Sequence, residues 1–215
     1  MFNGFFIKII IMKKFSFIAM LLMAAWVFQS CNDSASDSIK SANESNEEKQ
    51  DAAENKDNPA GTPDGSTAVT PVKEEDSEWV VARASSGMKE VQAAELAQQK
   101  AQNPRVKEFA AMLVKDHTAA NEELKTLGMN KTITLPSAPG EDHKDHLDKL
   151  SKNSGKEFDK EFIDVMVKDH KKNIEAFEKA SNDASDAHIK AFATKTLPVL
   201  RTHLEAAQSI EKELK

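Results

Sequence analysis

Apolar side chains recur at three- and four-residue spacing through four long stretches of the 215-residue chain, and residues that start or stop helices separate them. The first stretch runs from about Ser77 to Gln102 and stops at Asn103-Pro104. The second begins there, with Asn103 as N-cap and Pro104 at the first helical position, and ends at Gly128. The third opens on Ser154-Gly155-Lys156-Glu157, which reads as a capping box, and ends near Ser181-Asn182-Asp183. The fourth runs from about Ser185 to Leu214 with Pro198 inside it, and a kink near Thr194 is expected. Between the second and third stretches lie Pro136, Pro139 and Gly140, then a short amphipathic segment from Glu141 to Lys152. Sustained period-2 alternation is absent; Thr132 to Leu135 is β-like, and Pro136 ends it. Two short turns and one long connection predict an all-α four-helix bundle over residues 76–215, with a crossover between its second and third helices.

The first 75 residues follow different rules. Lys13-Lys14 precede an apolar run from Phe15 to Phe28, too short to span a bilayer comfortably, so residues 1–30 read as a signal peptide with Met12 as a conventional start. The run ends Val27-Phe28-Gln29-Ser30-Cys31, which resembles a bacterial lipobox with Phe28 where Leu is usual. Cys31 is the one Cys of the chain and the predicted site of acylation. Residues 32–75 are rich in Ser, Asn, Asp, Glu, Ala, Gly and Pro and carry no aromatic side chain. Such a segment buries too little apolar surface to offset its chain entropy, so residues 31–75 are expected to be a disordered acidic tether.

Charge refines this division. The chain is formally −6, but residues 32–75 hold 11 acidic and 4 basic side chains, so the acidity belongs to the tether. A folded domain without a basic footprint argues against nucleic acid as a partner. A lone Cys excludes an intramolecular disulfide framework and a thiolate zinc cluster. The sequence contains no nucleophile elbow, phosphate loop, dinucleotide fingerprint or zinc-protease motif, and no catalytic residue is assigned.

The candidate chemistry lies on the apolar stripes. The second helix's stripe (Val106, Phe109, Leu113, Ala120, Leu124) passes through His117, the third's (Phe158, Phe162, Met166, Ile174, Phe177) through His170, and the fourth's (Ile189, Phe192, Leu200, Ala207) through His203. Glu90 lies beside the stripe of the first helix. At 1.5 Å per residue Glu90 and His117 are each about 20 Å from their shared turn, and His170 is about 17 Å from the opposite end of a bundle about 36 Å long. His203, about 27 Å from that end, is expected to be offset by one to two turns. Val114-Lys115-Asp116-His117 recurs 53 residues later as Val167-Lys168-Asp169-His170, which puts an Asp before a core His in two helices. Two readings fit. Neutral imidazoles with one carboxylate suit zinc, iron or copper, with Asp116 and Asp169 behind the ligands. Alternatively, Asp and His pair across helices as a buried polar network. A two-iron carboxylate centre fits poorly, because no Glu stands three residues before any of the three His. His143 and His146 read as part of a solvated polar face.

Several strings together resemble the bacterial domain-of-unknown-function family numbered 4142. They are Ala84 to Val91, Met112 to His117, Ser154-Gly155 with Phe158-Asp159, Val167 to His170, and Leu197-Pro198 with His203-Leu204. The resemblance implies a ferritin-like four-helix bundle in a secreted or outer-membrane-associated protein. It places Glu90, His117, His170 and His203 on the family's characteristic positions and implies no established activity.

The expected protein is therefore lipid-anchored in the periplasm or at the cell surface, on the outer membrane of a Gram-negative bacterium. It has a binding role, with a metal ion as candidate ligand. The alternatives are a purely structural or protein-interaction module with an envelope protein as partner, and a ferritin-like oxidoreductase.

Overall fold

The computed structural model describes residues 35–54 and 72–215. The signal segment, Cys31 and residues 55–71 lie outside the described residues. The elements are α1 (Ala35–Glu54), α2 (Glu74–Lys100), α3 (Pro104–Asn130), α4 (Glu141–Lys152), α5 (Gly155–Asp183) and α6 (Ala187–Glu213). Helices α2, α3, α6 and α5 pack in that order around a common core, α2–α3 and α5–α6 forming hairpins. The connection from α3 to α5 carries α4 along the bundle, so the expected ferritin-like four-helix architecture is the observed one.

Local chemistry accounts for the helix ends. The Asn103 side chain accepts from the Arg105 N–H at 2.8 Å, with Pro104 at the first helical position. At the far end of α3 the chain runs two residues past Gly128. Ile133 N–H donates to Gly128 O at 2.8 Å and Thr132 N–H to Met129 O at 3.2 Å, a Schellman motif. Its left-handed residue is Thr132, at φ 59°, where Gly is usual. The capping box expected at Ser154 does not form. Gly155 is left-handed at φ 62°, and the Ser154 side chain caps no helix N–H. Helix α6 runs unbroken through Pro198, which is exposed, so the ring faces water and not the core.

Two buried aspartates tie the hairpins to each other. Asp159 of α5, 1% exposed, accepts from the N–H groups of Gln102 and Asn103 at 3.0 and 2.8 Å and so holds the α2–α3 turn. Asp76 of α2 accepts from the N–H of Asp186 at 2.8 Å and holds the α5–α6 turn. Each hairpin thus supplies the acceptor that the other's turn lacks. Asp159→Ala leaves two backbone donors without a partner and is expected to cost about 2 kcal/mol. Urea denaturation measures this, and Asp159→Asn, which keeps one acceptor oxygen, should cost less.

Residues 35–54, expected as part of a disordered tether, form α1. Its docking is polar. Asn46, 4% exposed, donates to Thr134 O at 3.1 Å and accepts from Thr134 N–H at 2.7 Å, and Lys49 donates to Thr132 O at 2.9 Å. Ala42 is buried, and Ile39 lies over Gly140. Composition could not reveal this, because α1 has almost no apolar face and the partners of Asn46 and Lys49 lie more than 80 residues away in sequence.

The core has two apolar parts. One holds Phe109, Leu113, Phe158, Phe162, Ile163 and Met166; the other holds Val80, Leu124, Phe177, Ile189, Phe192 and Leu200. Trp79 closes the second part, edge-on to Phe177 at 5.0 Å, with its indole N–H donating to Ala176 O at 3.2 Å. On every bundle helix a buried polar residue stands between the two parts, and these residues make one layer.

Candidate metal centre

The layer consists of Glu90 from α2, His117 from α3, His170 and Asn173 from α5, and His203 from α6, each at most 6% exposed. Their positions follow from the stripes. His117 lies between Leu113 and Leu124, and His170 between Met166 and Phe177, so core packing buries the imidazoles with their apolar neighbours. The predicted offset of His203 largely disappears. Helix α5 extends to Asp183 and α6 starts at Ala187, so His170 and His203 stand 13 and 16 residues from the turn that joins their helices.

One ring nitrogen from each of His117, His170 and His203 lies within 4.8 Å of one from each of the others. Ring centroids are 5.6 Å apart for His117–His170, 5.2 Å for His117–His203 and 5.4 Å for His170–His203. The outer hydrogen bonds assign the protons. His170 Nδ1–H donates to Met166 O at 2.9 Å, since a carbonyl can only accept. His203 Nε2–H donates to the Asp116 carboxylate at 3.0 Å. His117 Nδ1 lies 3.2 Å from Glu90 Oε2, an ion-pair contact that turns this nitrogen toward the carboxylate. That leaves His170 Nε2, His203 Nδ1 and His117 Nε2 for the interior.

Electrostatics sharpen the arrangement. Burial pushes the His203 imidazole down to about 4, against the opposing hydrogen bond to Asp116. Burial likewise lowers His170, against the attraction of Glu90. Both rings are therefore neutral at pH 7, and His170 Nε2 and His203 Nδ1 meet at 3.3 Å with no proton between them. Two lone pairs at that distance repel. His117 Nε2 is buried with no hydrogen-bond partner. Burial disfavours ionisation of Glu90, but His117, His170, Lys89 and Arg83 outweigh it and hold its carboxyl below the usual range.

The sequence-predicted residues divide. His117, His170 and His203 come together. Glu90, expected among the ligands, stands behind His117, and its second oxygen accepts from Asn173 Nδ2 at 3.0 Å. Asp116 supports His203 on another helix. Asp169, expected to support a histidine, is ion-paired with Lys89, which is 4% exposed. The repeated Val-Lys-Asp-His string thus serves two purposes, because the two aspartates lie beside different neighbours. Sequence reading missed Asn173 and the role of Arg83, whose guanidinium donates to Asn173 Oδ1. Their spacing was the available signal: Asn173 is one turn after His170, and Arg83 is two turns before Glu90. A cavity of about 30 Å³ touches the polar side chains of His117, Glu90, Arg83 and Asn121 and a mostly apolar wall with Leu124, Phe177 and Leu200, with room for about one or two waters. Gly87 forms part of its wall, where an added Cβ would lie 2.0 Å from Asn121 Oδ1.

A family described as a domain of unknown function, DUF4142, matches residues 61–210. The chain belongs to this family. The match takes in α2 to α5 and all but the last turn of α6, including every member of the buried polar layer. No curated protein matches the chain. Among solved structures, the bundle is similar to a DUF305 fragment from Deinococcus radiodurans, with TM-score 0.61 and 10% identity over 67% of this chain and 99% of that one. It is also similar to CopM in its Cu(II)-bound form, with TM-score 0.57 and 18% identity over 65% of this chain and 97% of that one. At these identities the likeness concerns the fold.

Proposed function

We propose that this DUF4142 protein binds a transition-metal ion through His117, His170 and His203. The observation that carries the reading is the convergence of three inward ring nitrogens, of which His117 Nε2 has no partner and His170 Nε2 and His203 Nδ1 meet only each other, while the outer nitrogens of His170 and His203 are held by hydrogen bonds and that of His117 lies against Glu90. Nitrogens bound at about 2.0–2.1 Å around a tetrahedral ion lie about 3.3 Å apart. His170 Nε2 and His203 Nδ1 already have that spacing. A cation replaces the lone-pair repulsion with two bonds and supplies His117 Nε2 with a partner. Met166 O, Asp116 and Glu90 then act as the outer anchors that ligating imidazoles usually have. Three nitrogens and no thiolate suit copper or zinc. The copper-bound state of the structurally similar CopM makes copper the first ion to try. Iron in a two-metal carboxylate centre is disfavoured, because Glu90 is committed to His117 and Asn173. Elemental analysis of protein purified without a tag tests the reading: near-stoichiometric copper or zinc is expected, and a metal-free protein that also fails to take up added ion overturns it.

The location is part of the proposal. The lipobox-like string ending at Cys31 supports anchoring to a cell-envelope membrane through acyl chains, where two or more chains hold stably. Among the described residues no helix is long and apolar enough to cross a membrane. Labelled palmitate should enter the wild-type protein, and Cys31→Ser should abolish incorporation and release the protein from membranes; incorporation that survives the substitution refutes anchoring at Cys31. An envelope protein is the further partner in this reading.

A further inference from the structure

A second cleft of about 480 Å³ opens on the outer side of α2 and α5, and its wall includes His143 of α4. Arg83, Ser86 and Asn173 line both this cleft and the small cavity beside His117. Four cationic side chains, Arg83, Lys89, Lys172 and Lys179, face two carboxylates, Asp169 and Glu175. Lys89 is held by Asp169, which fixes its ammonium in the wall, and Lys179 is paired with Glu75. Among the described residues, Arg83 and Lys172 have no carboxylate within ion-pair distance, and Arg83 Nε is buried without a hydrogen-bond partner.

His143 adds a neutral donor. Gly140 N–H donates to Ser85 Oγ at 2.8 Å, so the buried Ser85 hydroxyl has its proton free for His143 Nδ1 at 3.1 Å. The ring proton then sits on Nε2. Burial, followed by the nearby Lys89, lowers the His143 imidazole and keeps it neutral. The sequence had assigned this residue to a solvated face; the structure half-buries it against Ser85.

We propose that this cleft binds a phosphate group, as inorganic phosphate or a small phosphate monoester. The Arg83 guanidinium, the Lys172 ammonium and the His143 imidazole N–H, with the ion-paired Lys89 beside them, offer more donors than the two oxygens of a carboxylate can use. Phosphate, with up to two charges at neutral pH, has the oxygens to take them. The cleft also exceeds the volume of bare phosphate, which leaves room for the organic part of an ester. Occupation draws on Arg83, the same side chain that donates to Asn173, and so reaches Glu90 through two hydrogen bonds and His117 through its ion pair with Glu90.

The test is calorimetric titration of metal-free protein, so that it does not depend on metal binding at the three histidines. Inorganic phosphate and glycerol phosphate are titrated, with succinate and sodium chloride at equal ionic strength as comparisons. Saturable binding of a phosphate is expected, weakened about tenfold or more by the charge reversal in Lys172→Glu, an exposed position that leaves the core untouched. His143→Ala should weaken it in the same direction. Absence of saturable phosphate binding, equal binding of succinate, or unchanged binding in a folded Lys172→Glu overturns the proposal.

Discussion

Metal-free protein titrated with copper(II) or zinc(II) is expected to bind a single ion in the bundle and to unfold at a higher temperature when loaded. The ion binds the native state and finds no preformed site in the unfolded chain, so at a free concentration about 100 times its Kd it adds about 2.7 kcal/mol. For a domain of this size that raises Tm by roughly 5–10 °C. The discriminating variant is His203→Gln. Its amide nitrogen can still donate to Asp116, so the outer hydrogen bond survives while the inward nitrogen is lost. Its metal-free stability should stay near wild type, and the metal-dependent rise in Tm should vanish. Asp116→Ala keeps all three imidazoles but frees the His203 ring, and is expected to weaken the ion about 10- to 100-fold. Metal binding that is indifferent to His203→Gln places the ion elsewhere.

Acid should destabilise the metal-free bundle, with the main loss between pH 6.5 and about 4. Burial holds His203 near 4 and lowers His170, whereas both titrate near 6.5 in the unfolded chain. Within that window the unfolded chain binds the extra protons, so stability rises with pH there and falls as pH drops. Above about 6.5 the stability is fully present; below about 4 the contribution of His203 is spent. For His203 the total is at most roughly 3.5 kcal/mol, since each pKa unit is worth about 1.4 kcal/mol. Urea denaturation at a series of pH values measures the slope. His203→Gln should flatten it, and a wild-type stability that stays level from pH 7 to 4.5 contradicts the burial of neutral imidazoles. Bound metal competes with the same protons, so the loaded protein should hold its stability lower in pH and then lose ion and fold together.

Much of the bundle was legible because its determinants are local. Asn103-Pro104, the 3.6-residue stripes and the Pro-Gly connection each act within a few residues, and they suffice to place four helices and the crossover. Where a single residue's backbone conformation decided, the reading slipped. Gly155 in the left-handed region cancels the capping box at Ser154, and the Schellman turn at Thr132 carries α3 past Gly128. The departure at α1 has another origin. The segment buries little apolar surface beyond Ala42 and Ile39, and its docking adds the amide pairing of Asn46 with Thr134, a contact that no composition window contains.

The candidate site shows the same division at finer grain. Spacing along each helix put His117, His170 and His203 on core-facing stripes, because helical periodicity and apolar burial act within one element. Whether the three rings meet depended on where α5 ends and α6 begins, since one residue of helix shifts a side chain by 1.5 Å along the axis and 100° around it. The partner of each ring was likewise a tertiary decision. Two identical Asp-His pairs diverge, Asp116 reaching His203 and Asp169 reaching Lys89, because a carboxylate bonds to whatever donor the neighbouring helix presents. The sequence by itself determined which residue types would be buried at mid-bundle. Only the packing of four helices decided which nitrogens would be left unpaired there, because hydrogen-bond satisfaction is a property of the assembled layer and not of any one strand of its sequence.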